Sequence, residues 1–270
     1  MSYFTEYEDL LSSTLYVKPT KNVRTKDLVY TYKRTVSLLH EESGIPIVGG
    51  RKVYLKSGAA ECAWYLSGKK ETDVLEQTTG MWKPWTEQGR VEASYGYRWA
   101  NEFGVDQIEM AIQNLKQDPS SRRVYINTWS PKTDTELNAV NVPCPVGFHL
   151  SIEKKALDMR VVMRSSDLAV GLVYDTLSFR ILQNVIANTL ELETGSIEFV
   201  LLNAHIYGKQ RPVVRELMSK GAMGERHIIP FADYPWTIEE VKLAPLEFVE
   251  DYKQKQHLIV QKQQDISVAI

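Results

Sequence analysis

Residues 177–192 place the tightest limit on how this chain can fold. Apolar side chains recur at Leu177, Ile181, Leu182, Val185, Ile186 and Leu190, with few charges between them. A helix with that spacing has no broad face to give to water, so other elements must cover it on more than one side. The neighbouring segments supply candidates for the cover. Residues 106–117 carry Ile108, Ala111, Ile112 and Leu115 at helical spacing, and Asp118-Pro119-Ser120-Ser121 ends that helix in a turn. The run from Val124 to Trp129 reads as a strand, and Phe148, Leu150 and Ile152 alternate with polar residues as in a half-buried strand. Residues 158–166 and 197–207 also have strand composition. Strands interspersed with long helices predict an α+β fold, a large mixed β-sheet flanked by helices. No repeat or linker divides the chain, so one domain is expected over residues 1–270.

The charge balance narrows the ligands. A formal net charge of −2 gives no general basic field, which argues against nucleic acid as a partner. An anionic ligand must then be held by a local cluster of cations. No run is long and apolar enough for a bilayer, and the acidic start lacks the features of a secretory leader. A cytoplasmic location is expected, which would keep the two cysteines, Cys62 and Cys144, reduced.

Cys144 sits between two prolines just before a strand, an arrangement that leaves its thiol at the end of an element. A lone cysteine is more often a small buried hydrophobe. A thiolate nucleophile needs a cation close by, and Arg122, Arg123 and Arg164 are candidates. Those arginines, one pair leaving a turn and one leaving a strand, also suit a dianion, because guanidinium forks match phosphate oxygens. Glu61 lies in an apolar helical stretch, where the plain alternative is an exposed residue of the first turn. Trp82, Trp85 and the run from Tyr95 to Trp99 form an aromatic-rich segment, suited to core packing or to stacking on a flat heterocycle. His205 and Tyr207 alternate on one face of a strand.

Taken in order, Glu61 with Trp64, Trp82-x-x-Trp85, Tyr95-Gly96, Ser121-Arg122-Arg123, Pro143-Cys144, Arg164-Ser165-x-Asp167, Gly171-x-x-x-Asp175 and His205-x-Tyr207 resemble the thymidylate synthase superfamily. The likeness runs from about Arg24 to the final Val268-Ala269-Ile270. It implies a homodimer formed through sheet faces, a nucleoside monophosphate substrate and 5,10-methylenetetrahydrofolate as co-substrate. Cys144 would attack carbon 6 of the pyrimidine, which makes carbon 5 nucleophilic. Arg24, Arg164 and Ser165 would hold the phosphate, with Arg122 and Arg123 reaching in from the partner subunit. Asp167 would serve both ligands, His205 and Tyr207 the sugar, and Glu61 and Tyr95 the proton transfers. Trp82, Trp85, Gly171 and Ile270 would line the folate side.

Asp175 departs from that pattern, since synthases acting on uracil carry asparagine there. An amide both donates and accepts, whereas a carboxylate only accepts. Cytosine offers an amino donor at N4, and its N3 gains a proton in the thiol adduct, so Asp175 predicts a cytidylate. The competing reading has Asp175 capping a helix that starts at 177. Met163 stands where synthases have glutamine, and Pro145 where they commonly have histidine. The deoxycytidylate hydroxymethylases of this superfamily share the methionine and the aspartate. The resulting expectation is conversion of dCMP to 5-hydroxymethyl-dCMP, with reductive methylation of dCMP or dUMP, or use of CMP, as alternatives. Two rivals from other classes are a cysteine hydrolase pairing Cys144 with His149 or His205, and a nucleotide-binding protein without activity.

Overall fold

The computed structural model describes residues 2–23, 25–136, 141–219 and 226–256. Arg24 and Ile270, both expected at the site, lie outside the described residues. Eleven strands occur among them. The first five are β1 (Thr20–Lys21), β2 (Leu28–Thr31), β3 (Val36–His40), β4 (Ile45–Val48) and β5 (Tyr125–Asn127). The rest are β6 (Pro145–Glu153), β7 (Ala156–Met163), β8 (Ser166–Asp167), β9 (Glu193–Leu201), β10 (Ala204–Tyr207) and β11 (Arg226–Ile229). They form a mixed five-stranded sheet ordered β3-β9-β7-β6-β5, a four-stranded sheet β1-β2-β10-β8 and the pair β11-β4. With helices packed against these sheets, the architecture is the expected α+β class.

The helix read from residues 177–192 spans Gly171–Thr189, and every residue from Thr176 to Ala187 is buried. It packs against the helix Leu55–Ser67, β4, β7 and β9, so strands and a helix together supply the cover that its composition demands. The approach of the two helices is close: a methyl group on Gly58 would lie 2.3 Å from Leu177 Cγ. Its start falls six residues before the apolar spacing begins, because Tyr174 and Asp175 interrupt that spacing. Asp175 is therefore inside the second turn, and the reading of it as a cap for a helix starting at 177 is wrong.

Two strand readings also need division. The expected strands over 158–166 and 197–207 are each a pair of strands lying in different sheets. Between β7 and β8 lie Arg164 and Ser165; between β9 and β10 lie Leu202 and Asn203. β7 runs parallel to β9, and β8 runs parallel to β10. Across the junction Leu202 N–H donates to Met163 O at 2.9 Å and Ser166 N–H to Asn203 O at 2.9 Å. The two chains thus bend together, and the bend brings Arg164, Ser165, Asp167, His205 and Tyr207 to one end of the five-stranded sheet.

Candidate active site

Cys144 immediately precedes β6 and is partly buried. Its carbonyl accepts from Arg164 N–H at 2.9 Å. Its own N–H donates to the Tyr95 hydroxyl at 3.5 Å. The Arg164 side chain grips the approach to the cysteine, with Nε donating to Pro143 O and Nη2 to Val142 O, both at 2.8 Å. Its guanidinium also lies over the Trp129 ring, 5.7 Å from the centroid. One expected cation is therefore bonded to the loop that carries the thiol.

Arg122 and Arg123 are placed differently. Both are exposed, and they precede β5, which pairs antiparallel with β6 through Asn127–Gly147 and Tyr125–His149. Cys144 lies at the opposite end of β6. At about 3.3 Å per residue the arginines stand roughly 20 Å from their own chain's cysteine, beyond the reach of a side chain. Within one chain the structure does not bring them to the thiol. The same register excludes the hydrolase pairing of Cys144 with His149, five residues along β6 and facing Tyr125 and Arg160 across the sheet.

Two carboxyls, Glu61 and Asp175, act on Tyr95, whose hydroxyl meets the Cys144 N–H. Glu61 is in the body of the helix Leu55–Ser67 and only 5% exposed, so the alternative of an exposed first-turn residue is excluded. Trp82 Nε1 donates to Glu61 Oε1 at 2.5 Å, and the Ser178 hydroxyl donates to Oε2. Burial pushes the Glu61 carboxyl up to about 7, with the bonds from Ser178, Trp82 and Tyr65 opposing the rise. Asp175 is raised well above the usual carboxylate range, by burial first and then by the negative charges of Glu61 and Asp167. Gly171 separates the two aspartates: a methyl there would lie 3.4 Å from Asp167 Cβ and 3.7 Å from Asp175 Oδ2. Tyr95 ties the groups together, because burial, Cys144, Asp175 and Glu61 all raise its phenol.

The aromatic segment forms a ladder from core to surface. Tyr95 stacks on Tyr65 at 5.3 Å and meets Trp82 edge to face at 5.7 Å, and Trp82 meets Trp85 at 5.7 Å. Trp82 is buried whereas Trp85 is 38% exposed, which leaves an aromatic surface at the rim. Gly96 makes the first rung possible, since a methyl group there would sit 2.0 Å from Tyr65 O.

His205 and Tyr207 share one face of β10, their rings 5.0 Å apart and nearly perpendicular. His205 is the register partner of Asp167 in β8. Ser165 is partly buried at the strand bend. Asp167 Oδ1 accepts from Ala169 N–H at 3.0 Å and Val170 N–H at 3.4 Å, which orders the entry to the long helix. Sequence reasoning missed two residues: Ser178, which holds Glu61, and Gln210, which donates to Asp167 Oδ2 at 2.7 Å. Ser178 had a signal, being a hydroxyl three residues after Asp175 in an otherwise apolar helix. Gln210 had none.

Comparison with known proteins finds similarity to one family. The family described as Thymidylate synthase matches residues 5–262. A thymidylate synthase of Francisella philomiragia is 27% identical over 78% of this chain and 82% of its own length. A thymidylate synthase of Haloferax volcanii is 29% identical over 54% of this chain and 49% of its own length.

Proposed function

The chain belongs to the thymidylate synthase family, and on that premise we propose that it converts dCMP to 5-hydroxymethyl-dCMP. The family activity is folate-dependent transfer of a one-carbon unit to carbon 5 of a pyrimidine nucleotide, carried out by a dimer with methylenetetrahydrofolate as co-substrate. Bound folate supplies the carbon at the methylene level. Two features suit its flat ring: the exposed Trp85 face, backed by the buried Trp82, and a Gly171 that adds no side chain beside Asp167.

The observation that carries the cytidylate reading is the position of the Asp175 carboxyl, in the second turn of the long helix beside Gly171, with Glu61 and Asp167 as its charged neighbours. A neutral carboxyl can donate to cytosine N3 and accept from its N4 amino group, but it can equally donate to uracil O4 and accept from N3–H. The choice of cytosine therefore lies with the ionised form, which accepts from N4 and from the N3 protonated in the thiol adduct. When Cys144 adds to carbon 6, N3 becomes basic and takes the Asp175 proton; the resulting carboxylate faces a protonated ring and an amino group. Asparagine can bond at these positions but has no proton to transfer. Ionised Asp175 would face uracil O4 with acceptors only. Selectivity for dCMP over dUMP should accordingly narrow as pH falls.

Cys144 acts as the nucleophile, with Arg164 holding its loop and, together with Ser165, facing the phosphate. Arg24 would join them, and Arg122 and Arg123 would reach the phosphate from the partner subunit, a reading that their distance from their own cysteine supports. His205 and Tyr207 contact the sugar. Tyr95, whose hydroxyl accepts from the Cys144 N–H, would take the proton that leaves carbon 5. Glu61, raised to about 7, can take a proton from water near neutral pH. That capacity supports water, and not hydride, as the group that completes the product. Met163, wholly buried, supports the same choice only by resemblance. The opposing observation is Trp82, whose indole covers Glu61 and would help exclude water; it favours reductive methylation.

Incubation with dCMP and methylenetetrahydrofolate is expected to give 5-hydroxymethyl-dCMP and tetrahydrofolate. A 5-methyl product with dihydrofolate would establish the reductive reading, and turnover of dUMP in preference to dCMP would remove the cytidylate.

A further inference from the structure

Gln210 ends a single turn, Gly208–Gln210, that follows β10, and its side chain is only 3% exposed. Its Oε1 accepts from Tyr207 N–H at 2.9 Å, while its Nε2 donates to Asp167 Oδ2 at 2.7 Å. The backbone N–H can only donate, so it fixes the amide orientation: oxygen toward β10, nitrogen toward the aspartate. Asp167 in turn fastens Ala169 and Val170, the last residues before Gly171. The adjacent Leu168 N–H donates to His205 O at 2.9 Å. A single buried amide thus connects the strand carrying His205 and Tyr207 to the carboxylate at the mouth of the helix carrying Gly171 and Asp175.

We propose that Gln210 is a positioning residue that couples the nucleotide-sugar seat at Tyr207 to the folate-side carboxylate Asp167, so that bound nucleotide tightens folate binding. The proposal rests on the roles given to Tyr207 and Asp167 above. The coupling runs through two bonds of opposite polarity. Movement of the Tyr207 backbone onto a sugar shifts the amide oxygen, and the rigid amide carries its nitrogen, and with it Asp167, into one orientation.

Glutamate at this position keeps the acceptor for Tyr207 N–H but loses the donor. Two carboxyls about as close as this hydrogen bond must share a proton, and that proton leaves as pH rises. The full-length Gln210→Glu protein should show a KM for folate that climbs by about tenfold or more between pH 6 and 9. Its KM for dCMP should move by less than about threefold over the same range. Wild-type protein should lack this rise. Gln210→Ala should lose the strengthening of folate binding by dCMP at every pH, measured by titrating folate with and without saturating nucleotide. A merely structural glutamine would lower thermal stability and affect both ligands alike, without a folate-specific pH profile.

An active wild type whose Gln210→Glu variant keeps a flat folate KM overturns the coupling. So does a Gln210→Ala variant in which dCMP still strengthens folate binding. A wild type that neither turns over nor binds folate overturns the site reading itself, and the coupling with it. The two failures are thereby distinct.

Discussion

The two halves of the helix Gly171–Thr189 both lie largely in the core, yet they treat polar groups in opposite ways. In the second half, Arg180 is wholly enclosed but gives its N–H groups to Gly44 O at 2.8 Å, Glu42 O at 2.7 Å, Gly195 O at 2.6 Å and Gln183 Oε1 at 2.6 Å. Gln183 and Asn184 likewise end on the carbonyls of Leu157, Ser196 and Tyr234. In the first half, Asp175 faces further negative charge from Glu61 and Asp167. The difference teaches that burial alone does not mark a site. A buried polar group that is fully bonded ties the fold together, whereas a buried group held among like charges retains chemical potential.

Three measurements would break or sharpen that contrast. The largest effect is expected for Asp175→Asn, which should exchange substrates, losing dCMP turnover and gaining dUMP turnover. Sites built on such bonds discriminate by about 10⁴–10⁵-fold, read as the ratio of kcat/KM values. Stability should change little or rise, because a strained carboxyl is removed. If selectivity is unchanged, the first half of the helix is as structural as the second.

Next comes Arg180→Met. Its loss takes the guanidinium donors from the carbonyls of Glu42, Gly44 and Gly195, of which Gly44 O keeps only the bond to His40, at a cost of about 3–5 kcal/mol in denaturant unfolding. The protein that remains folded should retain kcat. A large kcat loss at unchanged stability would join the two halves into one functional unit.

The smallest effect concerns pH. Glu61 is raised in the fold to about 7 from an ordinary 4.5. It therefore takes nothing from stability below pH 4.5, opposes folding increasingly between pH 4.5 and 7, and has a constant effect above that. His40, which hydrogen-bonds Gly44 O beside Arg180, is lowered to about 4 from 6.5, by burial first and then by the Arg180 charge. It takes nothing above pH 6.5 and opposes folding as pH falls toward 4. Glu61→Gln should flatten the alkaline side of a stability-versus-pH curve and leave the acid side in place. Flattening of both sides would show that the two groups titrate as one system.

The sequence made the second half of this helix legible and obscured the first. Leu177 to Leu190 announce themselves through periodicity, which reports burial by apolar groups. Tyr174 and Asp175 break the pattern, so the true start at Gly171 could be recognised only through the family motif. The strands were legible by composition, but their bends were not, because continuous strand-forming residues do not record a change of hydrogen-bonding partner. Cys144, Glu61, Tyr95 and Asp175 were found in order along the chain, and the fold gathers them. Arg122 and Arg123 looked equivalent to Arg164 because charge reveals nothing about the end of a sheet on which it sits. Gln210 was invisible because its role depends on a neighbour 43 residues away.

The joint turn of β7 into β8 and β9 into β10 constrains how this enzyme can vary. Side chains along a strand alternate between faces, so one added residue in either run would reverse everything beyond it. Met163 O and Asn203 O stitch the runs at their corners, and the shift could not be absorbed by one run alone. Lineages of this chain should consequently tolerate changes of length in surface connections such as the turn at 118–121, while the spacing from Arg164 to Asp167 and from Asn203 to Tyr207 stays constant. Anyone redesigning the substrate preference would do better to exchange side chains at these places than to alter the number of residues between them.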